Sequence, residues 1–186
     1  MPKLKIGKHT AQVPVMQGGM GVGVSLSGLA SAVAEEGGIG EISAVGIFWD
    51  GASNVLSPVS DNYKGLRAEI SKVRENTDGL LSVNIMLALT DSDELVRTAL
   101  EEGVDMISLS AGLPIRRSPV LAECIRNHPS TALLLKVSSH RAIELVFKYW
   151  LRHYDSLPDG VIVEGPLAGG HLGFTREVLL ESPPEL

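Results

Sequence analysis

One histidine in this chain stands where chemistry is expected. His171 lies in Gly160–Phe174, GVIVEGPLAGGHLGF, a short apolar run followed by a loop dense in glycine and proline. Val161, Ile162 and Val163 fit a strand buried on both faces. Glu164 ends the run, and Gly165, Pro166, Gly169, Gly170 and Gly173 follow. Glycine lets backbone approach a ligand closely or adopt a positive φ. An imidazole just past the carboxyl end of a parallel strand sits where α/β folds place their active sites. Its chemistry would be proton transfer, since it titrates near neutrality.

Other polar groups recur at the carboxyl ends of apolar runs: Gln17, Asn84, Ser110 and Lys136. Lys136 follows three leucines, so its ammonium must leave the core at the strand tip. Glu164 reads as a structural acceptor for a neighbouring loop. Ser110 and the stretch 111–114 are weaker candidates for lining a pocket. His9, His128, His140 and His153 read as solvent-facing, and Cys124, on an apolar helical stripe, as core.

The elements that must position these residues alternate strand and helix. Strands are expected at Val13–Gln17, Ile39–Ala44, Leu80–Leu87, Met106–Ser110, Thr131–Val137 and Val161–Glu164. Gly18, Gly19, Gly21 and Gly23 make a turn after the first, and Ser25 or Ser27 caps a helix with Leu29, Ala30, Val33 and Ala34 inward. Residues 46–65 read as loop, followed by a helix over Leu66–Glu75. A third helix starts at Asp91 or Ser92 and stops at Gly103. Ser118-Pro119 opens a fourth, which Pro129 closes. Ile143, Val146, Phe147, Trp150 and Leu151 form the stripe of a fifth, and one more short helix fits after Phe174.

Such alternation calls for a parallel sheet, either doubly wound or a (β/α)₈ barrel. The glycine cluster at 18–23 matches the dinucleotide fingerprint only weakly. Reactive groups at successive strand ends favour the barrel, whose active site forms on that face. The 186 residues and 44% hydrophobic content suit one domain with a substantial core. A net charge of −6 without a basic tract disfavours nucleic acid and anionic membranes. One cysteine leaves no intrachain disulfide or multi-thiolate metal site. With no transmembrane-length run and no signal peptide, a cytoplasmic protein is expected.

Together PVMQGGMGVGVS (14–25), LASAVAEEGGIGEISAVG (29–46), VNIM (83–86), the Lys136 strand end and EGPLAGGHLGF (164–174) resemble the nitronate monooxygenase family. That family, long called 2-nitropropane dioxygenases, shares its fold with FMN-dependent enoyl-acyl-carrier-protein reductases. The resemblance implies a TIM-type (β/α)₈ barrel holding FMN non-covalently at the strand ends. It implies backbone of Gln17, Gly18 and Gly19 along the flavin, Asn84 and Lys136 bonded to it, and Gly169 and Gly170 beside it. His171 is then the catalytic residue facing the substrate. Family members continue through strands seven and eight, whose loops hold the FMN phosphate. Residues 1–186 therefore read as a partial FMN-binding domain, a barrel truncated after about six strands.

The activity implied is oxidation of nitronates or nitroalkanes by O₂ to a carbonyl compound and nitrite. Two alternatives stand beside it: an enoyl reductase using NAD(P)H on an enoyl thioester, and a non-catalytic fragment that does not hold flavin. Open edges at the first and sixth strands predict either association with a second copy or feeble FMN binding.

Overall fold

A computed structural model describes residues 2–47, 59–169 and 173–177. Five parallel strands form its centre: β3 (Ile39–Ser43), β4 (Leu80–Met86), β5 (Met106–Ser110), β6 (Ala132–Val137) and β7 (Gly160–Val163). They pair in the order β3-β4-β5-β6-β7, each strand beside its successor. A doubly wound sheet reverses its order at a switch point, whereas a barrel wall never does. The order here does not reverse. The chain is an α/β protein whose five parallel strands form part of the wall of a TIM-type barrel.

The expected first strand departs from regular structure. Only Met16 forms a bridge, parallel to Ile39. Val13 N–H donates to Gly37 O, Ile39 N–H to Val15 O and Gln17 N–H to Ile39 O, so the segment still lies along β3. Pro14 has no N–H to give a ladder, and Val15 N–H turns back to Val13 O at 2.8 Å. On the opposite flank, β7 has β6 as its ladder partner, and Val163 and Leu167 are 69% and 68% exposed.

A hairpin not anticipated from sequence precedes the wall: β1 (Leu4–Ile6) pairs antiparallel with β2 (His9–Ala11). Each strand is three residues long, too short for an alternation to be read. Its Leu4, Ile6 and Ala11 pack with Ile39, Leu80, Met106, Ala132, Leu134 and Ile162 in an apolar layer at the amino ends of the strands. His9 is consequently not solvent-facing. Its Nε2 lies 2.7 Å from Ser130 O and its Nδ1 3.7 Å from Asp105, tying the hairpin to the wall.

The opposite strand face carries Ile42, Leu81, Val83, Ile85, Ile107, Leu109, Leu133, Leu135 and Val137, which pack under the helices as the main core. The helices are α1 (Ser27–Glu35), α2 (Val59–Asn76), α3 (Ser92–Glu101), α4 (Pro119–Asn127) and α5 (His140–Tyr154). The Ser118 cap is as expected, and Ser139 adds one that was not anticipated. Ser118 Oγ accepts from Leu121 N–H at 3.1 Å with Pro119 at the first helical position, and Ser139 Oγ accepts from Ala142 N–H at 3.2 Å.

Other local expectations are corrected. The cap residue of α1 is Leu26, not a serine, and Ser27 N–H is taken by Glu69 of α2 at 2.8 Å. Burial works to raise the Glu69 pKa, but Lys72 and the Ser27 N–H outweigh it and hold the carboxyl low. Asp91 caps α3 without a side-chain bond. Helix α2 begins seven residues before Leu66, because polar SDNYKG carries no readable apolar stripe. Leu29 and Leu151 are exposed, while Trp150 is fully buried and donates its indole N–H to Pro114 O at 3.0 Å.

Candidate functional site

The concave side of the wall divides into two layers along the strands. At the amino ends it is apolar and closed by the hairpin. Toward the carboxyl ends it becomes polar: Glu41 on β3, Ser82 and Asn84 on β4, Ser108 and Ser110 on β5, Lys136 on β6. The registers Glu41↔Ser82, Asn84↔Ser108 and Met86↔Ser110 put these side chains on one face.

They form one hydrogen-bonded network. Glu41 is fully buried; its Oε2 accepts from Ser82 Oγ at 3.0 Å and from Ser108 Oγ at 2.6 Å. Its Oε1 pairs with Lys136 Nζ at 3.3 Å. Asn84 Nδ2 donates to Ser108 Oγ at 3.1 Å, and Ser110 Oγ donates to Asn84 Oδ1 at 3.2 Å. The Lys136 side chain keeps 22% of its surface exposed while its ammonium pairs with the buried Glu41.

The glycine loop closes over this network. Gln17 Nε2 donates to Glu41 O at 2.9 Å, and Glu41 N–H donates to Gln17 Oε1 at 3.3 Å. The Gln17 side chain is thus committed to β3. Gly19 is packed so closely that a Cβ there would stand 2.5 Å from Asn84 Cβ and 2.8 Å from Glu41 Oε1. Around Gly18, by contrast, nothing lies within 4 Å of that position. Ser25, expected as a helix cap, is instead fully buried and staples this loop. Its Oγ donates to Gly18 O at 3.0 Å and accepts from Met20 N–H at 2.9 Å.

Lys136 therefore meets the Glu41 carboxylate directly, Asn84 joins it through Ser108, and Gln17 holds the Glu41 backbone, with Gly18 and Gly19 in the same loop. Glu41 is the residue the sequence reading missed. Its position in a strand expected to be apolar was the available signal, since a charge there must be paired. Gly169 lies exposed in the loop after β7, while Gly170 and His171 fall outside the described residues. The loop's two described flanks are tied together: Glu164 Oε2 accepts Ser138 Oγ at 3.0 Å and Gly173 N–H at 2.9 Å.

A flavin ring needs open space beside backbone and a few polar partners around its rim. Open space at Gly18 and the part-exposed Lys136 side chain fit that need, with Asn84 buried just beneath. Phosphate-holding loops of strands seven and eight are not among the described residues. A cavity of about 210 Å³ lined by Cys124, His128, Leu133 and Asp159 opens elsewhere, at the amino ends of β6 and β7. His128 is accordingly half-buried rather than solvent-facing. Cys124 is buried, and burial, with Asp159 and Glu123 nearby, pushes its thiol up to about 12. It is poorly suited to act as a nucleophile. Among the described residues no group of three or more metal-ligating side chains occurs, and no helix is long and apolar enough to cross a membrane.

Comparisons with known proteins agree with the fold. Residues 2–182 match the family described as nitronate monooxygenase. FabK from Thermotoga maritima is 30% identical, with a TM-score of 0.63 over 87% of this chain and 43% of that one. A point mutant of the same FabK is 29% identical, with a TM-score of 0.65 over 88% and 46%. The chain thus spans less than half the length of these two structures. A Toxoplasma gondii chain described as a deoxyribose-phosphate aldolase, 16% identical, shares the fold alone, with a TM-score of 0.50 over 75% and 59%. No curated protein matches.

Proposed function

Because this chain belongs to the nitronate monooxygenase family, we propose that it contributes the flavin-ring side of an FMN-dependent oxidoreductase that oxidises nitronates or nitroalkanes with O₂. The observation carrying this reading is the convergence of the glycine loop, Asn84 and Lys136 at the carboxyl ends of the barrel strands. Bound FMN would supply the two-electron chemistry that links the substrate to dioxygen.

The chain's own residues bind, orient and handle the proton. Gly18 and Gly19 give backbone access to one face of the ring, and Ser25 fixes the shape of that loop. Asn84 and Lys136 act as donors at the ring or ribityl chain. Lys136 donates there while paired with Glu41. His171 removes the proton from the carbon next to a nitro group, or donates a hydrogen bond to the anionic nitronate once protonated. Glu164 steadies the loop that carries it, through Gly173. The products are a carbonyl compound and nitrite.

A second reading, an enoyl-acyl-carrier-protein reductase fed by NAD(P)H, is favoured by the likeness to FabK. The test supplies a pre-formed nitronate in air and follows O₂ consumption together with nitrite release. Nitronate-dependent nitrite supports the first reading. NADH oxidation that requires an enoyl thioester, with no response to nitronate, replaces it with the second.

A further inference from the structure

Glu41 sits among strand positions that could have been apolar. One layer below, Ile39, Leu80, Met106 and Ala132 fill the same concave face without a polar atom. Removing a carboxylate from water costs several kcal/mol, and pairing with a lysine repays this only with good geometry and further hydrogen bonds. Apolar replacement of such a pair is often neutral or stabilising, so stability alone is a weak reason for it. The hydrogen bonds are present, from Ser82 on β4 and Ser108 on β5.

The pair is also asymmetric. The Glu41 side chain is 0% exposed and that of Lys136 22%, so of the two partners the lysine alone keeps access to solvent. Bonds from Ser82 and Ser108 on two other strands fix the carboxylate, and it in turn fixes the ammonium.

We propose that Glu41 is a positioning residue for Lys136. It holds the ammonium as an oriented donor at the barrel mouth and cancels its charge, so that a ligand there meets a hydrogen bond without a net cation. An electron-accepting ring above a neutral pair keeps its affinity for electrons lower than it would above an isolated ammonium. The consequence for a flavin rests on the function proposed above; the pairing itself does not.

The test compares the wild-type chain with Glu41→Gln, Lys136→Met and the double variant, using two readouts. The first needs no flavin. In the ¹⁵N-labelled chain the Lys136 ammonium should give its own resonance, because a fixed partner slows exchange with water; loss in Lys136→Met assigns it. Glu41→Gln should abolish that signal, and a signal unchanged by it overturns the pairing.

The second readout is bleaching of the visible band of bound FMN by sulfite, an anion whose addition is helped by nearby positive charge. The local charge is zero in wild type, positive in Glu41→Gln, negative in Lys136→Met and zero again in the double variant. Sulfite should therefore bind about tenfold tighter to Glu41→Gln and about tenfold weaker to Lys136→Met, with the double variant close to wild type. Loss of mere structural support would weaken sulfite binding in all three, and that pattern overturns the charge-cancelling role. If Glu41→Gln fails to fold, recovery of the Lys136→Met defect in the double variant decides the same point. A chain that takes up no FMN counts against the proposed function alone, and the ammonium signal then decides the pairing.

Discussion

Glu164 Oε2 accepts the backbone N–H of Gly173 at 2.9 Å, drawing together two residues nine positions apart. The same oxygen holds Ser138, whose Oγ would lie 2.0 Å from a Cβ on Gly173. Only glycine fits this approach. One carboxylate at the end of β7 therefore closes the loop in which the candidate catalytic histidine lies.

Glu164→Ala should open that loop without unfolding the barrel. A hydrogen bond to a charged group contributes about 1.5–3 kcal/mol. Amide exchange at Gly173 should then accelerate roughly tenfold to a hundredfold, with the strand amides of β4 and β5 unaffected. Unchanged exchange at Gly173 would remove the clamp from this account.

Gly18 and Gly19 should respond in opposite ways. Gly19→Ala forces a methyl against Asn84 and Glu41 and should destabilise the fold by about 1–3 kcal/mol, the usual range for overpacking. Gly18→Ala enters open space, so stability should stay within about 0.5 kcal/mol while FMN affinity falls. Urea unfolding and flavin titration on the two variants separate these outcomes. FMN binding untouched in Gly18→Ala would move the ring away from this loop.

His171→Ala should leave FMN binding nearly intact and lower turnover about 10²–10⁴-fold, the usual contribution of a positioned acid or base. Steady-state rates on a neutral nitroalkane make the comparison. Unchanged turnover would end the general-base role.

Cys124 gives a pH dependence unrelated to catalysis. Its thiol is pushed up to about 12 from an ordinary 9.0, chiefly by burial. The folded chain then keeps a proton that the unfolded chain releases. The stability from this group is full below pH 9.0 and is lost as pH climbs toward about 12. Cys124→Ala should flatten that decline in urea-unfolding midpoints above pH 9.0, after allowance for the cavity it leaves. An equally steep decline in the variant would contradict the assignment.

Much of this architecture was legible because its signals are local and strong. Met106–Ser110, MISLS, is a short strand bounded by Gly103 and Gly112, and its observed bounds are those expected. Ser118-Pro119 marks a helix start through two residues with a single geometric meaning. What escaped depends on contacts distant in sequence. Glu41 meets Lys136 across 95 positions, and no spacing rule links them. Glu69 replaces a serine as the cap of α1 from another helix, 42 positions away. Of the candidate site residues, Asn84 and Lys136 were readable as polar strand ends. The pairing of Lys136 with a buried carboxylate was not, because a single glutamate between glycine and isoleucine gives no hint of its partners.

The central claim is that the strand ends around Gly18, Asn84 and Lys136 receive a flavin ring, and titration of FMN fluorescence with the purified chain tests it most directly. The account predicts saturable quenching with one FMN per chain, weakened in Gly18→Ala. FMN that fluoresces as in free solution, in the presence of excess folded chain, would contradict it.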